Sequence, residues 1–383
     1  MKVLRIEYEN INVFDKGFCF DMTASDRVVD DNQVHKISNC IYLQKVISLI
    51  GINASGKTTA LRLIKFVMDI VARHKNLEQA NVPFGIIKDD TVIKVDFVIF
   101  GKIFRLHTII GLKRDSYIDI EQNYPYFFKE EIIFEKPVTS VKKKADITKF
   151  DDNMIIMKRS GLTEQAKALL PDNQSIVLSI TRYASPYIYN SIHPISNYLI
   201  KGDDTVNENI LKLYDENISS ITVKDNNVRI VFKNGQDYIY DNLIDASQVL
   251  SSGTIKGMHI LNQAAEVFKK GGYMIIDEIE NHMNKKLVHM IIDLFNDCEI
   301  NQSDACLIFT THYPEILDVM ERKDNIHILR RVNSTPEIIK YSDYVKRNDI
   351  KKSDIILSNY IDGTAPNYEN IQKVRKYICQ RED

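Results

Sequence analysis

The sequence predicts an α/β fold built on a parallel sheet, split by a helical lobe and carrying β-meander regions packed on the core sheet. Three observations predict it. A short apolar strand, "KVISLI" (45–50), leads through a glycine-containing loop into "TTALRLIKFVMDIVARH" (58–74), which has helical periodicity. From residue 254 onward a helix, an apolar strand, a second helix and a second apolar strand alternate, as in sheets whose parallel strands are joined by crossover helices. Between the two halves, residues 150–219 carry helix-like spacing and capping residues, punctuated by Pro171 and Pro194.

The elements follow in order. "MKVLRIEYENINVF" alternates apolar and polar residues like a strand and lacks the apolar core of a signal peptide. "VIKVDFVIFGKIFRLHTII" (92–110) reads as a hairpin turning at Gly101-Lys102. "LTEQAKALLP" and "HPISNYLIKGDDTVNENILKLYDEN" supply the helical lobe. "SITVKDNNVRIVFKNGQDYIY" (220–240) alternates again, with turns at Asp225-Asn226-Asn227 and Asn234-Gly235, a meander expected to return to the first region. The expected organisation is an N-terminal part over 1–149, a helical insertion over 150–219, a second part over 220–330 and a helical tail over 331–383. No internal repeat, low-complexity tract or long heptad run is present.

Composition narrows the class. The 383 residues suffice for one large domain or two ordinary ones. Lysine plus arginine total 50 and aspartate plus glutamate 52, so there is no global electrostatic footprint for nucleic acid or an anionic membrane. Cys19, Cys40, Cys298, Cys306 and Cys379 form no C-x-x-C pair and share no spacing with histidines. That usage fits a reduced protein without structural zinc. No apolar run approaches the roughly 20 residues that span a bilayer. A cytoplasmic protein with no membrane contact is expected.

"GINASGKTT" (51–59) follows the strand and opens the helix, and it fits G-x-x-x-x-G-K-[ST] through Gly51, Gly56, Lys57 and Thr58. Glycines let such a loop fold back so that backbone N–H groups, here from Asn53, Ala54, Ser55, Gly56 and on to Thr59, point at a phosphate near a helix N-terminus. Lys57 can bridge β- and γ-phosphates, and the Thr58 hydroxyl can ligate Mg²⁺. "GYMIIDEIEN" (272–281) is an apolar strand ending in Asp277 and Glu278. Adjacent carboxylates at a buried strand end are costly without a cation nearby, although they could also simply end the strand and cap a helix. Asp277 would stand beside Mg²⁺ through a water, and Glu278 would deprotonate the water that attacks a γ-phosphate. "CLIFTTHYPEIL" (306–317) delivers His312 at a third strand end, within reach of a γ-phosphate oxygen.

"VLSSGT" (249–254) precedes a helical stretch and reads either as an N-cap or as an anion site. The ordered set "GINASGKTT", "LSSGT", "MIIDEIEN" and "TTHYPEI" resembles ABC-type ATPase heads of the SMC and RecF kind. Within that group it is most similar to the ATPases, often labelled AAA-type, of abortive-infection and other phage-defence systems. "SDIILSNYIDGTAPN" (353–367) resembles a segment near the end of those proteins. The resemblance implies a P-loop NTPase fold of ABC-ATPase head type with ATP and Mg²⁺ as cofactors. It implies a head-to-tail homodimer, or a higher homo-oligomer, in which Ser251, Ser252 and Gly253 of one subunit approach the γ-phosphate held by Lys57 of the other. It also implies a separate effector protein, a toxin or nuclease, under the control of the ATPase. Thr254 stands where transporters often have glutamine, and Asn284 in "NHMNKKL" (281–287) stands where the subgroup often has histidine. Gln122 is one position for a Mg²⁺-sensing glutamine, and an ordinary loop glutamine is the other reading.

A second reading is a chromosome-associated or DNA-repair ATPase that binds nucleic acid directly. Lys142-Lys143-Lys144 and the cluster Lys346, Arg347, Lys351 and Lys352 would supply its phosphate contacts, unless they are only solvated faces. A transporter subunit fits less well, because neither a coupling segment nor a Gly-Gly signature is evident.

Overall fold

In the computed structural model the described residues are 1–29, 31–113, 125–192, 207–224, 227–241, 243–246, 250, 252–281, 283–332, 335–347, 349–366 and 368–379. Strands β1 (Lys2–Ile11), β2 (Phe18–Asp21), β3 (Val34–Lys36), β4 (Tyr42–Gln44) and β5 (Val46–Ile50) lead to helix α1 (Lys57–Val71). Then come β6 (Ile87–Ile99), β7 (Lys102–Leu112), β8 (Tyr126–Pro137), β9 (Ile155–Lys158), the short helices α2 (Glu164–Leu169) and α3 (Leu178–Thr181), and β10 (Tyr187–Ser191). Helix α4 (Glu208–Tyr214) precedes β11 (Ile218–Lys224), β12 (Asn227–Phe232) and β13 (Asp237–Tyr240). After α5 (Leu243–Ala246), α6 (Ser252–Lys270), β14 (Gly272–Ile276), α7 (Lys285–Asn296) and β15 (Cys306–Thr311) alternate. The described part ends with β16 (Ile326–Val332), β17 (Thr335–Lys340), α8 (Tyr341–Tyr344), α9 (Lys352–Leu357) and α10 (Tyr368–Cys379). No helix among them is long and apolar enough to cross a membrane.

The central sheet runs β10-β14-β15-β5-β16-β17, parallel except for the β16–β17 hairpin. A strand buried on both faces sends alternate side chains to opposite sides. Ile47 and Leu49 of β5, Tyr273 and Ile275 of β14, and Ile308 of β15 join one core with α1 and the antiparallel sheet β2-β1-β6-β7-β8-β9. Their neighbours Val46, Ile50, Met274, Ile276, Leu307 and Phe309 join a second core with α6, α7 and α9. Helix α1 is therefore sandwiched between two sheets, and the Tyr8 hydroxyl of β1 donates to its Leu63 carbonyl at 2.7 Å. That explains why α1 is apolar over most of its circumference, with one polar stripe of Thr58, Arg62, Lys65 and Asp69.

The alternation of helix and strand after residue 254 produces the parallel sheet that the sequence predicts. Several details differ. The hairpin of β6 and β7 has Phe100 and Gly101 at its two central positions, one residue earlier than expected, both with positive φ (50° and 72°). The meander does not return to the first region. It forms a separate sheet, β11-β12-β13, whose inward residues Ile221, Val223, Val228 and Ile230 pack with Leu211 of α4 and Met258 of α6. Its link to the central sheet is α6. Residues 150–192 hold more than helices. β9 joins the antiparallel sheet, and β10 extends the central sheet beside β14. The strand character of "YIYNS" is masked by Pro186 just before it and by polar Asn190 and Ser191 within it. The C-terminal stretch likewise contributes β17 as well as helices, because Thr335–Lys340 folds back on β16. Gln122, Asp225, Asn226 and the segment 193–206 lie outside the described residues.

A buried ion pair ties the segment after β9 to the antiparallel sheet. Glu131 of β8 accepts from the Arg159 guanidinium at 2.7 Å, the Ser175 hydroxyl at 2.5 Å and the Ile176 N–H at 3.0 Å. Burial pushes the Glu131 carboxyl above its usual range, against the pull of Arg159 and these hydrogen bonds. Removing one partner strands the other charge. The Arg159→Ala variant should therefore lose about 3–5 kcal/mol of stability in urea unfolding. A loss below about 1 kcal/mol, the range of exposed pairs, would show that the pair does not organise this segment.

Candidate functional site

The ladder places three strand ends together. Thr311 of β15 lies opposite Ile50, the last residue of β5, while Phe309 lies opposite Ile276, the last residue of β14. The loop 51–56, the carboxylates Asp277 and Glu278, and His312 therefore leave the same edge of the sheet.

The loop has room for nothing larger than glycine at its first position. A Cβ on Gly51 would sit 2.1 Å from the Leu329 carbonyl oxygen and 2.6 Å from Ser55 Oγ. Gly56 has φ +98°, a conformation that favours glycine, and a Cβ there would meet the Phe14 ring at 3.3 Å. Ala54 also has positive φ (60°), and its carbonyl accepts from Arg331 Nε at 2.8 Å. Asn53 and Ala54 are exposed at the loop tip, whereas Ser55 is buried with its hydroxyl unpartnered among the described residues. Helix α1 starts at Lys57 with no side-chain cap and no acid in its first turn. Its leading N–H groups, from Lys57 through Thr59, thus keep their positive potential for an anion.

Lys57 points back over this loop. Its ammonium donates to the Gly51 and Ile52 carbonyls at 2.7 and 3.0 Å and lies 3.2 Å from His312 Nδ1. Burial lowers its pKa to about 8, although Asp277, Glu278 and Glu280 pull the other way. Thr58 Oγ1 donates to Asp277 Oδ2 at 2.8 Å, joining the start of α1 to the end of β14. Thr310 Oγ1 donates to Asp277 Oδ1 at 2.5 Å and accepts from the Glu278 N–H at 2.7 Å. Glu278 is left-handed, with φ +48°, and His312 Nε2 lies 3.1 Å from its carboxylate. The His312 N–H donates to Glu280 Oε1 at 2.7 Å. Lys57, Thr58, Asp277, Glu278 and His312, from three segments far apart in sequence, thus form one connected network.

The fourth segment is described in part. Ser251 lies outside the described residues, Ser252 opens α6, and Gly253 is in its first turn. Asn284, at the departure noted in the sequence, caps α7 by accepting from the Lys286 N–H at 2.9 Å.

Sequence reasoning missed Thr310, Lys256 and Glu280 as site residues. Lys256 falls on the buried stripe of Ile260, Ala264 and Val267 in α6, and a charge at a core position was the available signal. Thr310 and Glu280 gave none, since their roles arise only when β14 and β15 are paired.

The residues fit a magnesium nucleotide. The cradle excludes a Cβ at Gly51, the helix N-terminus is uncapped, and a lysine, a threonine hydroxyl and paired carboxylates converge on it. A family model described as "AAA domain, putative AbiEii toxin, Type IV TA system" matches residues 46–318, and the chain belongs to that family. No curated protein matches the sequence. Among solved structures, the SMC head domain from Thermotoga maritima matches over 89% of this chain and 99% of that one, at 10% identity and a TM-score of 0.41. That likeness is too distant to carry an argument.

Thr310→Val would keep the side-chain shape and strand both Asp277 Oδ1 and the Glu278 N–H. We expect a loss of about 1–3 kcal/mol in urea unfolding. Wild-type stability would mean that the hydroxyl does not make these two bonds.

Proposed function

We propose that the chain is an ABC-type ATPase head that binds ATP with Mg²⁺, hydrolyses it, and pairs head-to-tail with a second copy around the nucleotide. The observation that carries this reading is the Thr58–Asp277 hydrogen bond, which joins residues 219 positions apart beside Lys57 and His312. A Mg²⁺ ion at Thr58, with Asp277 behind it, would neutralise phosphate charge. The hydroxyl can offer its oxygen to the metal while still donating its proton to Asp277.

The protein groups then have distinct tasks. The N–H groups of Asn53, Ala54, Ser55, Gly56, Lys57, Thr58 and Thr59 hold the β-phosphate end around Gly51, and Lys57 bridges toward the γ-phosphate. Glu278 accepts the proton of the attacking water, and His312, beside both Lys57 and Glu278, orients the γ-phosphate end. Ser251, Ser252 and Gly253 of the second copy would close over the γ-phosphate from the N-terminus of α6. Each charge-assisted hydrogen bond so formed contributes on the order of 1.5–3 kcal/mol, enough for a few of them to make pairing depend on ATP.

The output we infer is control of a separate toxin or nuclease effector within a defence module. The family description, "putative AbiEii toxin, Type IV TA system", supports a two-component setting, although it names the matched domain and not a partner as the toxin. Direct nucleic-acid binding is less supported. The Lys144 ammonium is occupied by the Ser25 and Asp26 carbonyls, and Arg347 is paired with Asp349.

Glu278→Gln should bind ATP with near wild-type affinity, stop turnover, and accumulate as a dimer in size-exclusion chromatography with ATP. Undiminished hydrolysis by this variant would remove Glu278 as the base.

Lys57 adds a pH signature. An exposed lysine titrates near 10.4, whereas burial lowers the Lys57 pKa to about 8, so a large share of its ammonium is deprotonated above that pH. A bound triphosphate favours the ammonium, so binding should take up a proton above about pH 8, and affinity should fall as pH rises further. Calorimetry at about pH 8.5 in two buffers of different ionisation enthalpy would read this uptake. It should vanish in Lys57→Arg, whose side chain stays charged. No uptake by the wild type would place Lys57 in a more solvated setting.

A further inference from the structure

Lys256 lies in the second turn of α6, one turn beyond Ser252, and is 3% exposed. Burying an ammonium is costly unless it is hydrogen-bonded and compensated by charge. Asp277, Glu278 and Glu280 supply compensating charge, yet the hydrogen bond of Lys256 Nζ goes to a backbone group, the Glu278 carbonyl at 2.9 Å. Glu278 is the residue with φ +48°, a conformation that non-glycine residues hold only when the surroundings enforce it. The enforcing contacts are visible. Its N–H is held by Thr310 Oγ1 at 2.7 Å, and its carbonyl accepts from Lys256 and from the Asn281 N–H, also at 2.9 Å. Of these clamps, Thr310 belongs to the end of β15 and Asn281 to the turn after β14. The third, Lys256, belongs to the helix whose N-terminus would face the nucleotide of a second copy.

We infer that Lys256 is a positioning residue that couples the N-terminal turn of α6 to the backbone of Glu278, so that engagement of one subunit's α6 by its partner's nucleotide aligns the base in that same subunit. The inference rests on the ATPase reading above. Ser252 and Lys256 are one turn apart on a continuous helix, so a shift at the N-terminus is carried to the ammonium nearly undiminished. A hydrogen bond of 2.9 Å tolerates little lengthening before it weakens, and a shift of about 1 Å would break the Lys256 contact and leave the Glu278 carbonyl held by the Asn281 N–H alone. In a head-to-tail pair each α6 would touch the partner's nucleotide while each Lys256 serves its own Glu278. The two sites would then fire together rather than independently, a coupling that acts in both directions.

The test compares Lys256→Met and Lys256→Arg with the wild type by steady-state ATP hydrolysis, by binding of a fluorescent ATP analogue, and by thermal melting. Lys256→Met should lower kcat about 10–100-fold, the scale of a misplaced catalytic group, while KM and nucleotide affinity stay within about twofold. Its Hill coefficient for ATP should fall to about one, and Lys256→Arg, which keeps a charged donor, should recover most of the rate and the cooperativity. If Lys256→Met does not fold, Lys256→Gln, which keeps a neutral donor, takes its place with a smaller expected loss of kcat. A Met variant with wild-type kcat overturns the inference alone. A variant whose kcat falls only in step with its melting temperature, without rescue by arginine, does so too. A wild-type protein that neither binds nor hydrolyses ATP overturns the ATPase reading and this inference together.

Discussion

Strands β5 and β15 end opposite each other and β14 ends two residues short of them, all toward the same edge, because β15 is hydrogen-bonded to both neighbours in unbroken parallel register. Two ladder spacings, about 9.5 Å, then separate the strand that launches the glycine loop from the strand that ends in carboxylates. Helix α1 crosses that gap from above, and Thr58 reaches Asp277 directly. The end of β15 lies between those two strands and brings Thr310, Thr311 and His312 to the same edge. A one-residue slip of β15 would turn the Thr310 hydroxyl to the opposite face of the sheet and leave Asp277 and the Glu278 N–H without it. Every feature of the site depends on that register.

The electrostatics follow from the same convergence. Asp277, Glu278 and Glu280 gather around two lysines that are themselves largely withdrawn from water, Lys57 and Lys256. Burial pushes both lysines down and the carboxylates pull them back, so neither charge is independent of its neighbours. His312 stands between Lys57 and Glu278 and touches both. Such a network is sensitive to an added anion, because a phosphate at Lys57 alters the charge that Glu278 and His312 see. The left-handed backbone of Glu278 shows that the carboxylate is placed by its surroundings, with Thr310 on one side and Lys256 on the other.

Local patterns explain which parts of this could be read along the chain. "KVISLI" is apolar throughout because both faces of β5 are covered, and the glycine loop that follows has a chemical reason for each glycine. The helix and strand alternation after residue 254 carries full periods and gave the parallel sheet. Short strands were harder. β10 and β17 have mixed faces or proline nearby, and their identity as strands comes from a neighbour already in place, β14 or β16. The meander was legible as three strands but not as a separate sheet, since its inward residues would pack equally well on any apolar surface. Helix α6 offered that surface through Ile255 and Met258.

Residue types and spacing alone were enough to mark the phosphate loop, the paired acids and the histidine, because each is a short segment whose chemistry needs its own neighbours in sequence. The contacts of Thr310, Glu280, Arg331 and Lys256 belong to pairs of residues that are distant along the chain, so no local pattern announces them. The ladder of β5, β15 and β14 and the docking of α6 against it decide those contacts. They convert an ordinary threonine and a misplaced-looking lysine into two of the clamps on Glu278. The sequence could name the acid at the strand end, but only the packed sheet and helix show what holds its backbone in place.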